Sequence, residues 1–254
     1  VINRAPLPPL GLAIVVQYWG GDEAASLRLA RLLADIEPAP RADVTLVLAR
    51  RFDVEFSREA WETSVYCGKK FRATTIRAKR EGTGHPAGSN ALWSGSFEQL
   101  AEQYAAGGTD FSTIFTVESD GCPVSVDWID RLRKEHGLAM HAGKRVVGAR
   151  MDRVAPHING TLVAHLSLWA DRPSLHRTPP NMAWDLFHAP VLLAETAPTT
   201  LILNAYGSRD WTDASIRGLH SGTCWVANCK DTSVIDWAEK NLIGPDAWDG
   251  RLGA

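Results

Sequence analysis

The most constraining stretch of the chain is a run of apolar residues from Leu12 to Val16, closed by Tyr18-Trp19-Gly20-Gly21-Asp22. A continuous, largely β-branched run suits a strand covered on both faces, as in parallel sheets. The Gly-Gly-Asp that follows marks a turn, and Asp22 is placed to cap a helix. In Glu23–Ile36 the apolar residues Ala25, Leu29, Leu32, Leu33 and Ile36 recur at helical spacing, and Pro38 and Pro40 end the pattern. Val44–Ala49 reads as a second buried strand. Strand, turn, helix and strand form the opening of a doubly wound, Rossmann-like α/β sheet.

Further along the pattern changes. Residues 57–95 are rich in Lys, Arg, Thr and Gly and show little periodicity, so they read as a long irregular segment of functional character. Phe97–Ala106 reads as a helix, Thr113–Val117 as a third buried strand and Val126–His136 as a helix. Arg145–Arg150 is a strand, Leu162–Trp169 is apolar without a clear period, and Met182–Ala194 is helical. Leu201–Asn204 is a short strand, and Asp213–His220 and Ser233–Leu242 are helices. The proline-rich start, residues 1–10, reads as an extended lead-in, and the tail from Gly244 as loop. No internal repeat or linker divides the chain, so one domain spanning 1–254 is expected.

Composition narrows the function classes. Of 254 residues, 45% are hydrophobic and 22% charged, which suits a globular core and excludes disordered, collagenous and coiled-coil chains. No apolar run approaches the roughly 20 residues that span a bilayer, and no leader pattern is visible. The net charge of −2 gives no global field for nucleic acid or membranes. The four cysteines form no CxxC pair, so reduced thiols and a cytoplasmic location are expected. HExxH, GxSxG and Walker A patterns are absent.

The sharpest chemical signal is Phe115-Thr116-Val117-Glu118-Ser119-Asp120-Gly121. Two carboxylates flank one residue at the end of a buried strand, where open α/β sheets place ligands. Paired carboxylate oxygens there suit a hard divalent cation that also holds phosphates. The bland alternative is a turn with an Asx-type cap.

These features together resemble a GT-A glycosyltransferase, a fold that uses a nucleotide-sugar donor and commonly a DxD motif for Mn²⁺ or Mg²⁺. The resemblance covers most of residues 11–243, with a donor half at about 11–125 and an acceptor half at about 126–243. It implies that Asp120 binds the metal and that Glu118 either shares it or faces the ribose or sugar. Gln17, Tyr18, Trp19 and Asp22 would then seat the base and ribose of the donor, a UDP-sugar by expectation. The Gly82–Asn90 segment resembles one that closes over the donor, with Asn90 on the donor side and His85 toward the acceptor. His157 and Asn159, in Pro156-His157-Ile158-Asn159-Gly160, match the acceptor side. Asp185, in Ala183-Trp184-Asp185, matches the general base of inverting enzymes, with Trp184 walling the sugar and Glu195 and Asp210 as reserves. Asn228-Cys229 stand where the family carries His-Gly, while Lys230 and Asp231 match. Asn228 is thereby a weaker third metal ligand, and Lys230 would reach the diphosphate.

The acceptor is indicated only by charge. Lys69, Lys70, Arg72, Arg77, Lys79 and Arg80 fall close together with no acid among them. Such a run reads as a solvated face, as a donor contact through Arg77 or Lys79, or as a phosphate track. A nucleic-acid acceptor would present a hydroxymethylated pyrimidine, as in the phage-type DNA-base glycosyltransferases, flipped out of the stack. Two other classes stay open: a non-catalytic nucleotide- or nucleic-acid-binding domain, favoured by Asn228, and a nucleotidyltransferase, disfavoured by the acidic Gly20-Gly21-Asp22-Glu23 loop.

Overall fold

The computed structural model describes residues 11–244, apart from 153, 208 and 209. The expected opening is present: β1 (Gly11–Tyr18), α1 (Glu23–Ile36) and β2 (Arg41–Arg50). Next come α2 (Arg58–Cys67), β3 (Phe71–Arg77), α3 (Ala87–Ala105), β4 (Phe111–Val117), β5 (Cys122–Pro123) and α4 (Trp128–His141). The second half holds β6 (Val146–Met151), β7 (His157–His165), α5 (Ser167–Asp171), α6 (Trp184–Phe187) and α7 (Ala189–Glu195). It continues with β8 (Thr196–Pro198), β9 (Ile202–Asn204), α8 (Asp213–Arg217), β10 (Trp225–Ala227) and α9 (Ser233–Asn241).

Seven strands make the central sheet, in the order β3-β2-β1-β4-β7-β6-β8. The strands β1 to β4 run parallel, and β7 lies antiparallel between β4 and β6. A small sheet, β5-β10-β9, stands beside it. Every residue of β1 is buried, as its unbroken apolar run requires. Alternate residues of β1 enter opposite cores: Leu12, Ile14 and Val16 pack with α1 and α4, and Ala13 and Val15 with α3. Among the described residues no helix is long and apolar enough to cross a membrane.

The structure corrects several expectations. Residues 57–95 are not irregular: α2, β3 and the first half of α3 occupy them. The strand β3 is an edge strand paired only to β2, and only Phe71 and Ile76 of its residues are buried, so little else in it need be apolar. The helix read as Phe97–Ala106 starts at Ala87, and its early turns are rich in Gly, Ala and Ser, which carry little hydrophobic signal. Met182–Ala194 is two short helices broken at His188, with Pro190 opening the second. His157 to Gly160 lie inside β7, and Leu162–Trp169 divides between the end of β7 and α5. Asp22 makes no side-chain cap on α1. The expectations for residues 1–10 and 245–254 lie outside the described residues.

Candidate active site

A cleft opens at the carboxyl ends of β1, β2 and β4, where a parallel sheet presents backbone ends and loops to a ligand. It consists of two cavities, of about 700 and 390 Å³. Both are lined by His85, Ser89, Glu118, Trp184 and Lys230, so the two share a wall. Gln17, Trp19, Asp22, Arg51 and Asp120 belong to the larger cavity; His157, Asn159, Asp185, Tyr206 and Asn228 belong to the smaller.

The larger cavity is tied together by Asp22. Its Oδ1 accepts from the Trp19 amide at 2.8 Å, and its Oδ2 accepts from Ser119 Oγ at 3.3 Å. The first strand-to-helix loop is thereby bonded to the turn after β4. Enclosure in this corner pushes the Asp22 carboxyl above its ordinary value. The exposed Trp19 ring lies against Gly21, where a Cβ would strike the ring, and beneath the Arg51 guanidinium, 5.3 Å from its centroid. Arg51 is held in turn by a fork to Asp53 at 2.6 and 2.7 Å. The buried Gln17 carboxamide leaves its Nε2 without a partner.

Glu118 and Asp120 stand on the turn after β4. Glu118 is exposed to solvent where the two cavities meet. The protein walls around it, with Asp120, Asp185 and Asp22 nearby, push its carboxyl above the ordinary carboxylate range, opposed by Lys230. A side chain at Gly160 would come within 3.1 Å of Glu118 Oε1 and 3.3 Å of the Trp184 ring, so glycine there makes room for both.

The turn after β10 closes against this one. The Cys229 amide donates to the Asp120 carbonyl at 3.0 Å, and the Lys230 amide to Asp120 Oδ2 at 3.2 Å, with Lys230 Nζ 3.8 Å from the same oxygen. Asp120 Oδ1 and Asn228 Oδ1 are both buried oxygens without hydrogen-bond partners. A carboxylate and an amide oxygen are hard donors that suit Mg²⁺ or Mn²⁺. Among the described residues no group of three or more His, Cys, Asp or Glu side chains converges as a metal site. Asp120 lines the larger cavity and Asn228 the smaller, and each offers an unpartnered hard oxygen of the kind such a cation accepts, the remaining oxygens having to come from a ligand.

In the smaller cavity, His157 and Asp185 face one another, Nε2 to Oδ2, at 3.8 Å. His157 Nδ1 lies 2.7 Å from the Ala155 carbonyl, which can only accept, so Nδ1 carries a proton. Asp185 Oδ1 accepts from the Leu186 amide at 2.8 Å, leaving Oδ2 toward His157. Trp184 stacks on Trp93, with centroids 3.4 Å apart, and Phe97 and Trp169 extend the aromatic stack into the core.

Not every expected residue reaches the cleft. Tyr18 is wholly buried behind it. Asn90 lines the smaller cavity rather than the larger one and also serves the chain itself: it donates to the Pro179 and Met182 carbonyls at 3.1 and 2.8 Å and accepts from the Trp184 amide at 2.9 Å. It positions the Trp184-Asp185 segment. The reserve Glu195 is taken up by Arg145 and Arg172, which hold its carboxyl below the ordinary range, and neither it nor the exposed Asp210 lines either cavity.

Three of the six cations of the basic run find acids in space that the sequence does not show beside them. In space Arg72 pairs with Asp110, Lys79 with Glu102 at 2.5 Å and Arg80 with Glu98 at 2.9 Å. Arg77 donates to the Phe52 carbonyl, Lys70 to the Glu37 carbonyl, and Lys69 lies over the Tyr66 ring. None of the six lines either cavity.

Arg51, Trp93, Val154 and Tyr206 line the cleft and were not expected from sequence, whereas Ser89 belongs to the expected Gly82–Asn90 segment. Only Arg51 carried a usable signal, since it follows a buried parallel strand. Tyr206, Asn228 and Lys230 have φ of 52°, 62° and 65°, the positive-φ non-glycine residues among those described, and all three line the smaller cavity. Such conformations concentrate at functional sites.

No family model matches the chain, and no curated protein matches it. Solved structures do resemble it. An active-site mutant of LgtC matches with TM-score 0.55 at 10% identity, covering 85% of this chain and 87% of that one. The bifunctional glycosyltransferase WbbM matches with TM-score 0.55 at 8% identity, covering 88% and 46%. Mouse xyloside xylosyltransferase 1 matches with TM-score 0.51 at 10% identity, covering 88% and 99%. The chain spans less than half of the WbbM chain, and 45% of GlyE from Streptococcus pneumoniae TIGR4. At such identity the likeness concerns the fold: this chain has the mixed α/β, GT-A-like fold found in glycosyltransferases.

Proposed function

We propose that the chain is a metal-dependent glycosyltransferase acting on a nucleotide sugar, with its donor and acceptor halves in one domain. The observation that carries this reading is the pair of cavities joined at Glu118, His85, Ser89, Trp184 and Lys230. A donor in the larger cavity and an acceptor in the smaller would meet at that shared wall, which is what direct transfer between two substrates needs. Volumes of about 700 and 390 Å³ suit a nucleotide sugar and a compact acceptor.

Each residue has a part in this reading. Trp19 and Arg51 offer a flat, cationic surface to the base, and Gln17 an unused donor. Asp120 and Asn228 would hold Mn²⁺ or Mg²⁺, which supplies charge neutralisation to the diphosphate leaving group. Lys230 contributes a second positive charge beside Asp120. Asp185, with a free Oδ2 on the acceptor side, takes the acceptor proton as its hydroxyl attacks, giving inversion. His157 faces that carboxylate and orients the hydroxyl.

A DNA acceptor is not carried into the proposal. Three cations of its expected track are paired with acids, and the track lies outside both cavities. The reading is tested by titrating UDP-, GDP- and TDP-sugars with and without Mn²⁺. Binding of at least one that needs both Mn²⁺ and Asp120 is expected; binding unaffected by Mn²⁺ and by Asp120→Ala would contradict it.

A further inference from the structure

We infer that the smaller cavity takes an acceptor whose sugar adjoins an apolar aryl or alkyl group, and that Tyr206 and Val154 recognise that group. The inference deepens the transfer reading and rests on it. The lining of this cavity divides into two chemistries. Glu118, His157, Asp185 and Lys230 provide charge and hydrogen bonds, which a sugar hydroxyl can use. Met151, Val154, Leu186 and Tyr206 provide apolar surface, which a hydroxyl cannot.

The apolar part stays open to solvent. Val154 is 80% exposed and Tyr206 46%. Met182 and Phe187, at 45% and 42%, stand next in the chain to the lining residues Ala183 and Leu186. Single exposed apolar side chains are ordinary. Val154 and Tyr206, both lining one opening, are the kind of grouped apolar surface that marks a binding site.

The backbone supports the same assignment. Tyr206 is held at φ 52°, a region that bulky residues avoid. Its neighbours are strapped to the strand beside it, the Ala205 amide to the Ala227 carbonyl at 2.9 Å and the Gly207 amide to the Asn228 carbonyl at 3.2 Å. The fold thus imposes an unfavourable conformation at the residue that carries an aromatic ring into the cavity lining. A polyanionic acceptor would gain little from the apolar face of that ring. A ring or chain attached to the sugar would be partly desolvated by it, and removing apolar surface from water favours binding.

The test compares phenyl and methyl β-D-glucopyranoside, and the matching galactopyranosides, by equilibrium binding to the full chain. The phenyl glycoside of at least one sugar is expected to bind about tenfold more tightly, a partial share of full burial. Val154→Ser, at an exposed site, and Tyr206→Gly, which suits the left-handed backbone, should each bring the ratio toward one. Equal affinity of phenyl and methyl glycosides, or no binding of either, overturns the inference, as does an unchanged ratio in both variants. Nucleotide-sugar turnover by the wild type is measured in parallel. Absent turnover with the phenyl preference intact overturns the transferase reading and leaves the subsite standing; turnover without the preference overturns the subsite alone.

Discussion

The two sides of the cleft are built differently. The donor side stands on the ends of β1, β2 and β4, strands whose side chains fill both cores. The acceptor side takes Met151 from β6 and His157 and Asn159 from β7, but the rest of its lining comes from short pieces and turns, the four-residue α6 and the left-handed Tyr206, Asn228 and Lys230. Burial fixes the first side. Specific polar bonds fix the second, such as those from Asn90 to Pro179, Met182 and Trp184. The difference teaches where changes should show: loss of chemistry without loss of fold at the donor turn, and coupled loss of geometry and stability behind the acceptor wall.

The largest effect is expected at the donor turn. Asp120→Ala should lower transfer about a thousandfold or more, since charge on the leaving group would go unneutralised. The folded state should persist, because the Asp120 carbonyl keeps the Cys229 amide although the bond from the Lys230 amide to Asp120 Oδ2 is lost. Steady-state kinetics with circular dichroism checks both halves. Asp185→Asn comes next: at least about a hundredfold loss in kcat with donor affinity unchanged, the usual scale for a general base. A loss of donor affinity there would erase the distinction between the two sides.

Asn90→Ala sharpens the comparison from the other direction. Three hydrogen bonds disappear from a buried position, a cost of roughly 2–3 kcal/mol. Thermal unfolding should show it, together with a raised acceptor KM as Trp184 and Asp185 lose their support. Glu37 provides a control remote from the cleft. Its carboxyl is raised to about 7, chiefly by burial, with Arg41 opposing. A raised carboxyl is favourable to folding while protonated, so this contribution is full below the ordinary carboxylate range and lost as pH rises through about 7. Glu37→Gln should therefore be roughly 2 kcal/mol more stable than wild type at pH 8 and similar to it at pH 4. Denaturant titrations at the two pH values read this directly. The smallest effect belongs to the basic run: Lys79→Ala should change stability by less than about 1 kcal/mol, because its pair with Glu102 is exposed.

What could be read from sequence follows the same division. The strands β1 and β4 announce themselves because both faces are buried, and the turn at Glu118 and Asp120 follows from the end of β4. The edge strand β3 was hidden, since Thr74 and Thr75 face little that demands an apolar side chain. The first turns of α3 were hidden for a different reason. Gly95 lets the Arg80 amide approach to 3.0 Å of where a Cβ would be, so smallness, not hydrophobicity, is what packing requires there. Asp185 was legible as an acid after a proline turn. Tyr206 was not, because its place depends on a positive φ that no residue type signals. Asn90 was legible as a cleft residue, but its hydrogen bonds to Pro179, Met182 and Trp184 were not, since those partners lie about 90 positions away in sequence.

The central claim is that sugar leaves a nucleotide in the larger cavity and is passed across the shared wall. The most direct measurement is release of nucleoside diphosphate from a panel of nucleotide sugars, with Mn²⁺ and with chelator, in the presence of aryl glycoside acceptors. The account predicts release with one donor class, abolished by chelator, and a glycosylated acceptor of inverted anomeric configuration by NMR. Absence of release from every donor, with the protein folded and Mn²⁺ present, would contradict it.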